Sequence, residues 1–294
     1  MDIIEQLSTA LVDRIAAVAG SVVSVRAGGR PRSGILWRDD VVVTSEQVVG
    51  ETETATVMHA GTEIAAKLAG RDPTTNVAVF RLEQPLSGAL PSVATVPRVG
   101  SLALVVGADD RGAPTGRLAM VHATGPEWHS MAGGRIDALI RLDVRLGADE
   151  GGPVLDHSGA LLGMSTSGPR RRGLVIPAAT IERAIDPLLE HGHVARGWLG
   201  VGLQPVAMPD PLRTETGQTR GAMVLQLVAE GPAQQAGVLP GDILLSLDDF
   251  RFGQRRGLAS LMGPDRIGKS VTVRLVRAGE IRSIGVVIAA RPRS

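Results

Sequence analysis

The chain has 294 residues, enough for two ordinary domains that each bury a core. Its net charge of +1 gives no electrostatic reason to expect nucleic acid or an anionic membrane as a partner. Because it contains no cysteine, disulfide bonds and thiolate catalysis are excluded.

The first segment is predicted to be a helix, because apolar residues recur at three- and four-residue spacing from Ile3 to Val18. The first residues lack the basic stretch and the apolar core of a secretory signal, and no run of about 18 apolar residues follows. The sequence therefore predicts a cytoplasmic protein that does not enter a membrane. A periplasmic location stays open if the N-terminus has been processed.

Short β runs separated by Gly, Pro, Asp and Asn extend to about residue 180, a pattern typical of an antiparallel barrel or sandwich. A helix predicted at 178–189 closes this unit. A smaller unit follows, with five predicted strands between residues 199 and 289 and helices at Pro232–Ala236 and Arg255–Met262. The predicted organisation is an N-terminal helix at 1–20 and domains at 21–190 and 195–292.

The polar break between the two domains contains His191 and His193. Two histidines without carboxylates or thiolates at ligand spacing fall short of a metal site. The sequence therefore predicts neither a metal nor any other cofactor.

Six segments, in this order, resemble the HtrA (Deg) family, in which a PDZ domain follows a trypsin-like serine protease domain. They are Ser33-Gly34-Ile35-Leu36, Val42-Val43-Thr44-Ser45-Glu46-Gln47-Val48-Val49, Asp72-Pro73-Thr74-Thr75-Asn76-Val77-Ala78-Val79, Gly151-Gly152-Pro153, Gly173-Leu174-Val175-Ile176-Pro177 and Arg196-Gly197-Trp198-Leu199-Gly200-Val201. The resemblance extends over nearly the whole chain. It implies a mainly β fold: a trypsin-like double β-barrel with an N-terminal helix, then a small α+β PDZ domain.

The resemblance also implies where the catalytic triad would lie. A serine protease needs a nucleophilic hydroxyl, an imidazole base and a carboxylate that orients the imidazole. The matching positions here hold Glu150, Gln47 and Asn76. Because amides do not titrate near neutrality and a carboxylate has no hydroxyl, the sequence predicts a pseudoprotease that is not an enzyme.

The three replacements suggest a hydrogen-bonded structural trio. Gln47 would donate to Glu150, and Asn76 would bridge to Gln47, since each donor–acceptor pairing survives the loss of titratable groups. The competing interpretation is that three unrelated residues line a solvated cleft.

The second domain carries the predicted binding site. By resemblance, Trp198, Leu199, Gly200 and Val201 form the loop whose backbone N–H groups hold the C-terminal carboxylate of a peptide. The helix at Arg255–Met262 would supply the other wall of the groove, and core packing is the competing interpretation of its apolar residues. Because Trp198 is bulky, it could fill the pocket. The apolar wall residues are Leu258, Leu261 and Met262.

The leading prediction is a non-catalytic scaffold that binds proteins or peptides with extended or C-terminal segments. Two alternatives stay open. One is an HtrA-type serine endopeptidase with a relocated nucleophile at Ser45, Ser158 or Ser165, and the other is a chaperone-like holdase. The apolar stripe of the N-terminal helix leaves homo-oligomerisation open.

Overall fold

Two units make up the chain, which a computed structural model describes over residues 2–252 and 258–292. The first unit comprises the chain up to residue 130 and residues 135–194, and the second comprises residues 131–134 and the chain from residue 195 onward. Both units are mainly β. Within the described residues, no helix is both long enough and apolar enough to cross a membrane.

The chain begins with helix α1, Ile3–Val18, as the apolar periodicity predicts. Its C-terminal half is anchored: Val18 is fully buried, and Leu11 and Ile15 pack against the same core cluster. Its N-terminal half leaves Ile3 and Ile4 exposed. Only part of the apolar stripe therefore contributes to the core of the first unit.

The first barrel is closed and antiparallel, with strand order β1-β2-β3-β6-β5-β4. Its core is filled mainly by aliphatic side chains, since the chain has few aromatic residues. Branched aliphatic residues pack well on a pleated surface, which favours these short strands. The strands are β1 Val22–Arg26, β2 Arg32–Arg38, β3 Val41–Ser45, β4 Thr54–His59, β5 Thr62–Asp72 and β6 Val77–Leu82.

The second barrel is also closed, with strand order β11-β14-β13-β12-β7-β8, and β9 and β10 form a separate two-stranded sheet. Helix α2, Ala178–His191, closes the unit and ends at Gly192, whose φ of 76° is a left-handed C-cap. The strands are β7 Leu102–Ala108, β8 Pro114–Gly125, β9 Trp128–His129, β10 Arg135–Ile136, β11 Leu139–Arg145, β12 Pro153–Asp156, β13 Leu161–Ser167 and β14 Arg172–Pro177.

The second unit is built on a sheet with the order β16-β17-β18-β20-β21, to which β19 adds beside β18, while β15 pairs with β22. Strand β16 is therefore at an edge of its sheet. The elements are β15 Gly197–Trp198, β16 Val201–Ala207, α3 Asp210–Thr216, β17 Arg220–Leu227, α4 Pro232–Gln235, β18 Ile243–Leu247, β19 Phe250–Arg251, β20 Ser270–Arg277, β21 Glu280–Val287 and β22 Ala289–Ala290.

The helix predicted at Arg255–Met262 differs from the structure. Residues 253–257 lie outside the described part of the chain, and Leu258–Leu261 forms a single 3₁₀ turn. Pro264 begins a separate 3₁₀ turn, Pro264–Arg266, and the residue before a proline is disfavoured in helical conformation, so the two turns do not merge into one helix.

A buried ion pair stabilises the second unit. Arg277 donates to both carboxylate oxygens of Asp242, at 2.8 and 2.7 Å, and the Asp242 side chain is only 2% exposed. Burial on its own would raise the pKa of Asp242. The hydrogen bonds from Arg277 and from the Leu239 N–H, with the charge of Arg277, outweigh burial and hold that pKa below its ordinary value.

Candidate functional site

The loop between β11 and β12 carries Glu150 and is pressed against the first barrel. Gly151 has a φ of 94°, and a Cβ there would lie 2.1 Å from the carbonyl oxygen of Ser33 and 2.3 Å from Thr44 Oγ1. Only glycine fits this position. The Ser33 N–H also donates to the Ala148 carbonyl, at 2.9 Å, so the loop is fixed on both sides of Glu150.

The Glu150 carboxylate is buried and held by several donors. Ser167 donates its N–H to Oε1 at 3.0 Å and its hydroxyl to Oε2 at 2.8 Å. The Gln47 side-chain amide donates to Oε1 as well. With Glu150 only 7% exposed, these donors replace the water that a buried charge loses.

Gln47 and Asn76 reach the same point from two turns of the first barrel. Gln47 lies in the 3₁₀ turn Glu46–Val48 after β3, and Asn76 has a φ of 60° immediately before β6. Asn76 Oδ1 accepts the Gln47 N–H at 2.8 Å, and its Nδ2 donates to Thr166 Oγ1 at 2.6 Å. Gln47, Asn76 and Glu150 therefore belong to one hydrogen-bonded network, in which Asn76 contacts the backbone N–H of Gln47 rather than its side chain.

Thr166 and Ser167 are site residues that the sequence analysis missed. Both come from the end of β13, and Thr166 Oγ1 also lies 3.0 Å from Gln47 Nε2. The only sequence signal is a run of three hydroxyl residues, Ser165-Thr166-Ser167, at the end of a predicted β segment. Such a run is common in strands and does not indicate a site by itself.

Charged side chains surround the loop. Arg117 Nε lies 3.4 Å from Asp149 Oδ2, and Arg117 Nη1 donates to the Arg145 carbonyl at 2.9 Å, so this guanidinium ties the loop to the end of β11. Next to Gln47 in the chain, burial raises the pKa of Glu46, and the charge of Arg71 opposes the increase.

The three alternative nucleophiles all have hydrogen-bonded hydroxyls. Ser45 belongs to the network itself and donates to Asn76 Oδ1 at 3.2 Å, and Ser165 donates to the Asp149 carbonyl at 2.7 Å. Ser45 and Ser165 are fully buried, which removes them from contact with a substrate. Ser158 donates its hydroxyl to Asp156 Oδ1 at 2.6 Å within an exposed turn. Burial would raise the pKa of Asp156, but hydrogen bonds from Ser158 and from the Ala160 N–H keep that pKa low.

The triad positions therefore combine a carboxylate, two amides and nearby hydroxyls. The Glu150 N–H donates to the Gly147 carbonyl at 3.3 Å, so it does not point freely at a substrate. Of the site's hydroxyls, only that of Ser167 is both paired with the carboxylate and partly exposed. Among the residues that the structure describes, no cluster of three or more His, Cys, Asp or Glu side chains could hold a metal ion.

The loop Trp198–Val201 forms the second candidate site. Gly200 has a φ of 72°, and its carbonyl and that of Leu199 accept backbone N–H groups at 2.9 Å, from Val228 and Ala233. Across residues 2–252 and 258–292, no backbone carbonyl accepts the N–H of Leu199 or of Gly200. These two donors therefore have no backbone acceptor in the described part of the domain, and both residues are buried.

The Trp198 ring lies beside this loop. A Cβ placed on Gly200 would be 3.1 Å from Trp198 Cη2, so the indole lies close to the Gly200 backbone and narrows the space there. The predicted wall residues lie largely within the domain instead. Leu199 and Met262 are buried in the core, and their side chains do not line a groove.

The remaining wall residues, Leu258 and Leu261, are half-buried and pack against the same core. Val201 is half-buried on edge strand β16. An apolar groove wall on this side would therefore consist of the exposed parts of Leu258 and Leu261.

Known proteins match both units. Residues 32–164 match the family described as trypsin-like peptidase domain, and residues 197–288 match the PDZ domain family. The chain is 30% identical over 270 residues to a probable periplasmic serine endoprotease, DegP-like, of Brucella suis biovar 1 (strain 1330), covering 88% of this chain and 52% of the relative. A relative of the same name from Rhizobium meliloti (strain 1021) is 30% identical over 277 residues, covering 90% and 54%. The chain spans about half the length of these curated relatives.

Solved structures confirm the fold. The HtrA-type protease AlgW with a decapeptide is 22% identical, with a TM-score of 0.74, covering 97% of this chain and 99% of that one. A serine endoprotease from Yersinia pestis is also 22% identical, with a TM-score of 0.68 and coverage of 96% and 98%. The predicted mainly β fold, a trypsin-like double barrel followed by a PDZ domain, is confirmed.

Two predictions are wrong. The similar curated proteins are named serine endoproteases, which contradicts the prediction that the chain is not an enzyme. The replacement of the three triad residues removes only the chemistry of those side chains, and the site contains other hydroxyl groups. The same relatives are named periplasmic, which contradicts the cytoplasmic prediction.

Proposed function

We propose that this chain, which has the trypsin-like and PDZ domains of the HtrA/Deg family, binds extended peptide segments through its PDZ domain. The peptide's C-terminal carboxylate would accept hydrogen bonds from the N–H groups of Leu199 and Gly200. Its backbone would pair with the edge strand β16. This is β-strand addition, in which main-chain hydrogen bonds supply affinity and side-chain pockets supply specificity.

The observation that carries this proposal is the orientation of the loop backbone. The carbonyls of Leu199 and Gly200 are bonded inside the domain, Gly200 is left-handed, and among the described residues neither N–H group has a backbone acceptor. Such a nest of N–H groups attracts an anion. The edge of β16 has one interruption, since Pro205 lacks an N–H group.

The test is fluorescence anisotropy with a labelled peptide ending in an apolar residue, prepared with a free C-terminal carboxylate or with an amide. We expect amidation to weaken binding about tenfold or more, equivalent to about 1.4 kcal/mol. Equal binding of the two forms would rule out the carboxylate as the recognised group.

A second proposed function is peptide hydrolysis at Glu150, favoured by the 2.8 Å hydrogen bond from Ser167 Oγ to Glu150 Oε2. The Ser167 oxygen would attack a peptide carbonyl while Glu150 takes the hydroxyl proton. Glu150 would return that proton to the leaving amine, and water would release the acyl group from Ser167. Because a carboxylate is a weaker base than an imidazole, we expect slow turnover.

This second function is tested with unfolded casein and mass spectrometry, alongside a fluorophosphonate probe. We expect cleavage by the wild type, its loss in S167A, and its retention in the matched variant S158A, which removes an exposed serine that also donates to a carboxylate. Intact casein, or cleavage that S167A leaves unchanged, would remove Ser167 from this role.

The periplasm is the proposed location, since it is the compartment named for the curated relatives. Fractionation of cells that express the gene from its own promoter tests it. We expect the protein to be released with periplasmic markers, and retention with cytoplasmic markers would contradict the proposal.

A further inference from the structure

We infer that an arginine surface on the first unit binds acidic peptide segments in an extended conformation. The surface consists of Arg145, at the end of β11, Arg170 and Arg171, in the turn that leads into β14, and Arg172, the first residue of β14. All four residues are exposed. The inference is independent of peptide capture by the PDZ domain, because these residues belong to the first unit.

The strand register brings two of these charges together. Arg145 and Arg172 are directly opposite each other in the antiparallel pair β11–β14. Directly opposed residues share one face of the sheet, with Cβ atoms about 4.5–5.5 Å apart, and like charges there repel each other. The fold thus places two arginine side chains on one face of the sheet, and an anionic partner would offset the repulsion between them.

The turn before β14 holds two more arginines in an unfavourable backbone conformation. Arg170 and Arg171 have φ values of 61° and 58°, in the left-handed region that long side chains rarely adopt. Hydrogen bonds across the turn keep it closed, from Arg171 N to Gly168 O at 3.0 Å and from Gly168 N to Arg172 O at 2.8 Å. Strained backbone of this kind concentrates at functional sites.

In the described part of the chain, none of these four guanidinium groups has an ion pair or a side-chain hydrogen bond. The neighbouring Arg117, by contrast, is paired with Asp149. Asp143, two residues before Arg145, accepts the Met120 N–H at 2.8 Å; its charge offsets part of the positive charge, but among the described residues it forms no ion pair with these arginines. The four guanidinium groups therefore keep an excess of positive charge at this surface.

The position and spacing of the surface indicate the class of partner. The arginine surface begins just after Ser167, whose N–H and hydroxyl donate to Glu150. A polypeptide bound at Glu150 would therefore also pass the turn that carries Arg170 and Arg171. The charges of the arginine surface are spread along a turn and two strand ends. Such a row fits successive carboxylates of an extended peptide, which rises about 3.3 Å per residue, better than it fits one small anion. The chain's net charge of +1 provides no general attraction to nucleic acid.

The experiment measures binding of a labelled peptide rich in Asp and Glu, with an amidated C-terminus so that it lacks the carboxylate expected at the PDZ loop. Three proteins are compared: wild type, R170Q/R171Q/R172Q, and R220Q/R251Q/R274Q. The last variant removes three exposed arginines of the second unit and so has the same net charge. A neutral peptide of equal length and a single-stranded oligonucleotide of equal charge complete the set.

We expect R170Q/R171Q/R172Q to bind the acidic peptide about tenfold more weakly than wild type, while R220Q/R251Q/R274Q changes the Kd less than about twofold. Raising the salt concentration from about 0.05 to 0.5 M should weaken wild-type binding, since screening shortens the reach of exposed charges. The melting temperature of R170Q/R171Q/R172Q should equal or exceed that of wild type, because repulsion is relieved.

Three results would overturn the inference. They are equal loss of affinity in both triple variants, equal binding of the neutral and acidic peptides, and preferential binding of the oligonucleotide through Arg170–Arg172. Failure of the PDZ proposal appears separately, in the comparison of carboxylate and amide peptides.

Discussion

Replacing Glu150 with alanine removes the acceptor of three close donors: the Ser167 N–H, the Ser167 hydroxyl and the Gln47 amide. It also removes two longer contacts, from the hydroxyls of Thr166 at 3.4 Å and Ser45 at 3.5 Å. A hydrogen bond to a charged group contributes about 1.5–3 kcal/mol. Gln47 is exposed and regains water, so most of the loss comes from the two groups of Ser167. We expect the free energy of unfolding of the first unit to fall by about 2–4 kcal/mol.

For a unit of this size, each kcal/mol lost from the free energy of unfolding lowers the melting temperature by about 2–4 °C. Calorimetry should therefore show a melting temperature about 4–16 °C lower than that of the wild type. The matched control is Glu63→Ala, which removes an exposed glutamate from strand β5 and should change the melting temperature by less than about 1 °C. Hydrogen exchange gives a local readout, since the Ser167 amide should exchange faster in Glu150→Ala. A melting temperature within about 1 °C of the control, with unchanged exchange at Ser167, would refute the reasoning.

Three further substitutions follow from the structure. Asp242→Asn should cost the second unit about 3 kcal/mol by leaving Arg277 without its buried partner. Because the pKa of Asp242 is low in the folded state, the ionised carboxylate stabilises the fold above about pH 4, and this stabilisation is lost as the pH falls through the folded pKa. The melting temperature of Asp242→Asn should therefore decrease less steeply with falling pH than that of the wild type. Equal slopes would contradict this. Gly200→Ala should weaken peptide binding in anisotropy, while Gly217→Ala, at a left-handed position outside the loop with a φ of 66°, should not; equal effects would point to general strain. Gly151→Ala should lower first-unit stability by more than about 4 kcal/mol in urea melts, since its Cβ meets backbone at 2.1 Å; a wild-type melt would show that the loop can move.

The sequence predicted the elements whose pattern is local. Helix α1 follows from the three- and four-residue spacing between Ile3 and Val18, and the positions of Gln47, Asn76 and Glu150 follow from short motifs. These motifs determine which position of the chain carries each of the three side chains. They were therefore sufficient to suggest the pairing of Gln47 with Glu150.

Contacts between distant parts of the chain were not predictable. Thr166 and Ser167 join the site across about 90 and 17 residues of sequence, from Asn76 and from Glu150, and no local pattern encodes such pairings. Apolar character likewise does not distinguish a groove wall from a core, so Met262 was assigned to the wall although it is buried.

The most direct test of the peptide-binding account is an NMR titration that follows the backbone amides of Leu199 and Gly200. We expect the largest downfield proton shifts at these two amides when a peptide with a free C-terminal carboxylate is added, since a carboxylate forms strong hydrogen bonds to N–H groups. The amidated peptide should leave both amides nearly unshifted. Shifts of equal size with both peptides, or none at Leu199 and Gly200, would contradict the assignment of this loop as the carboxylate site.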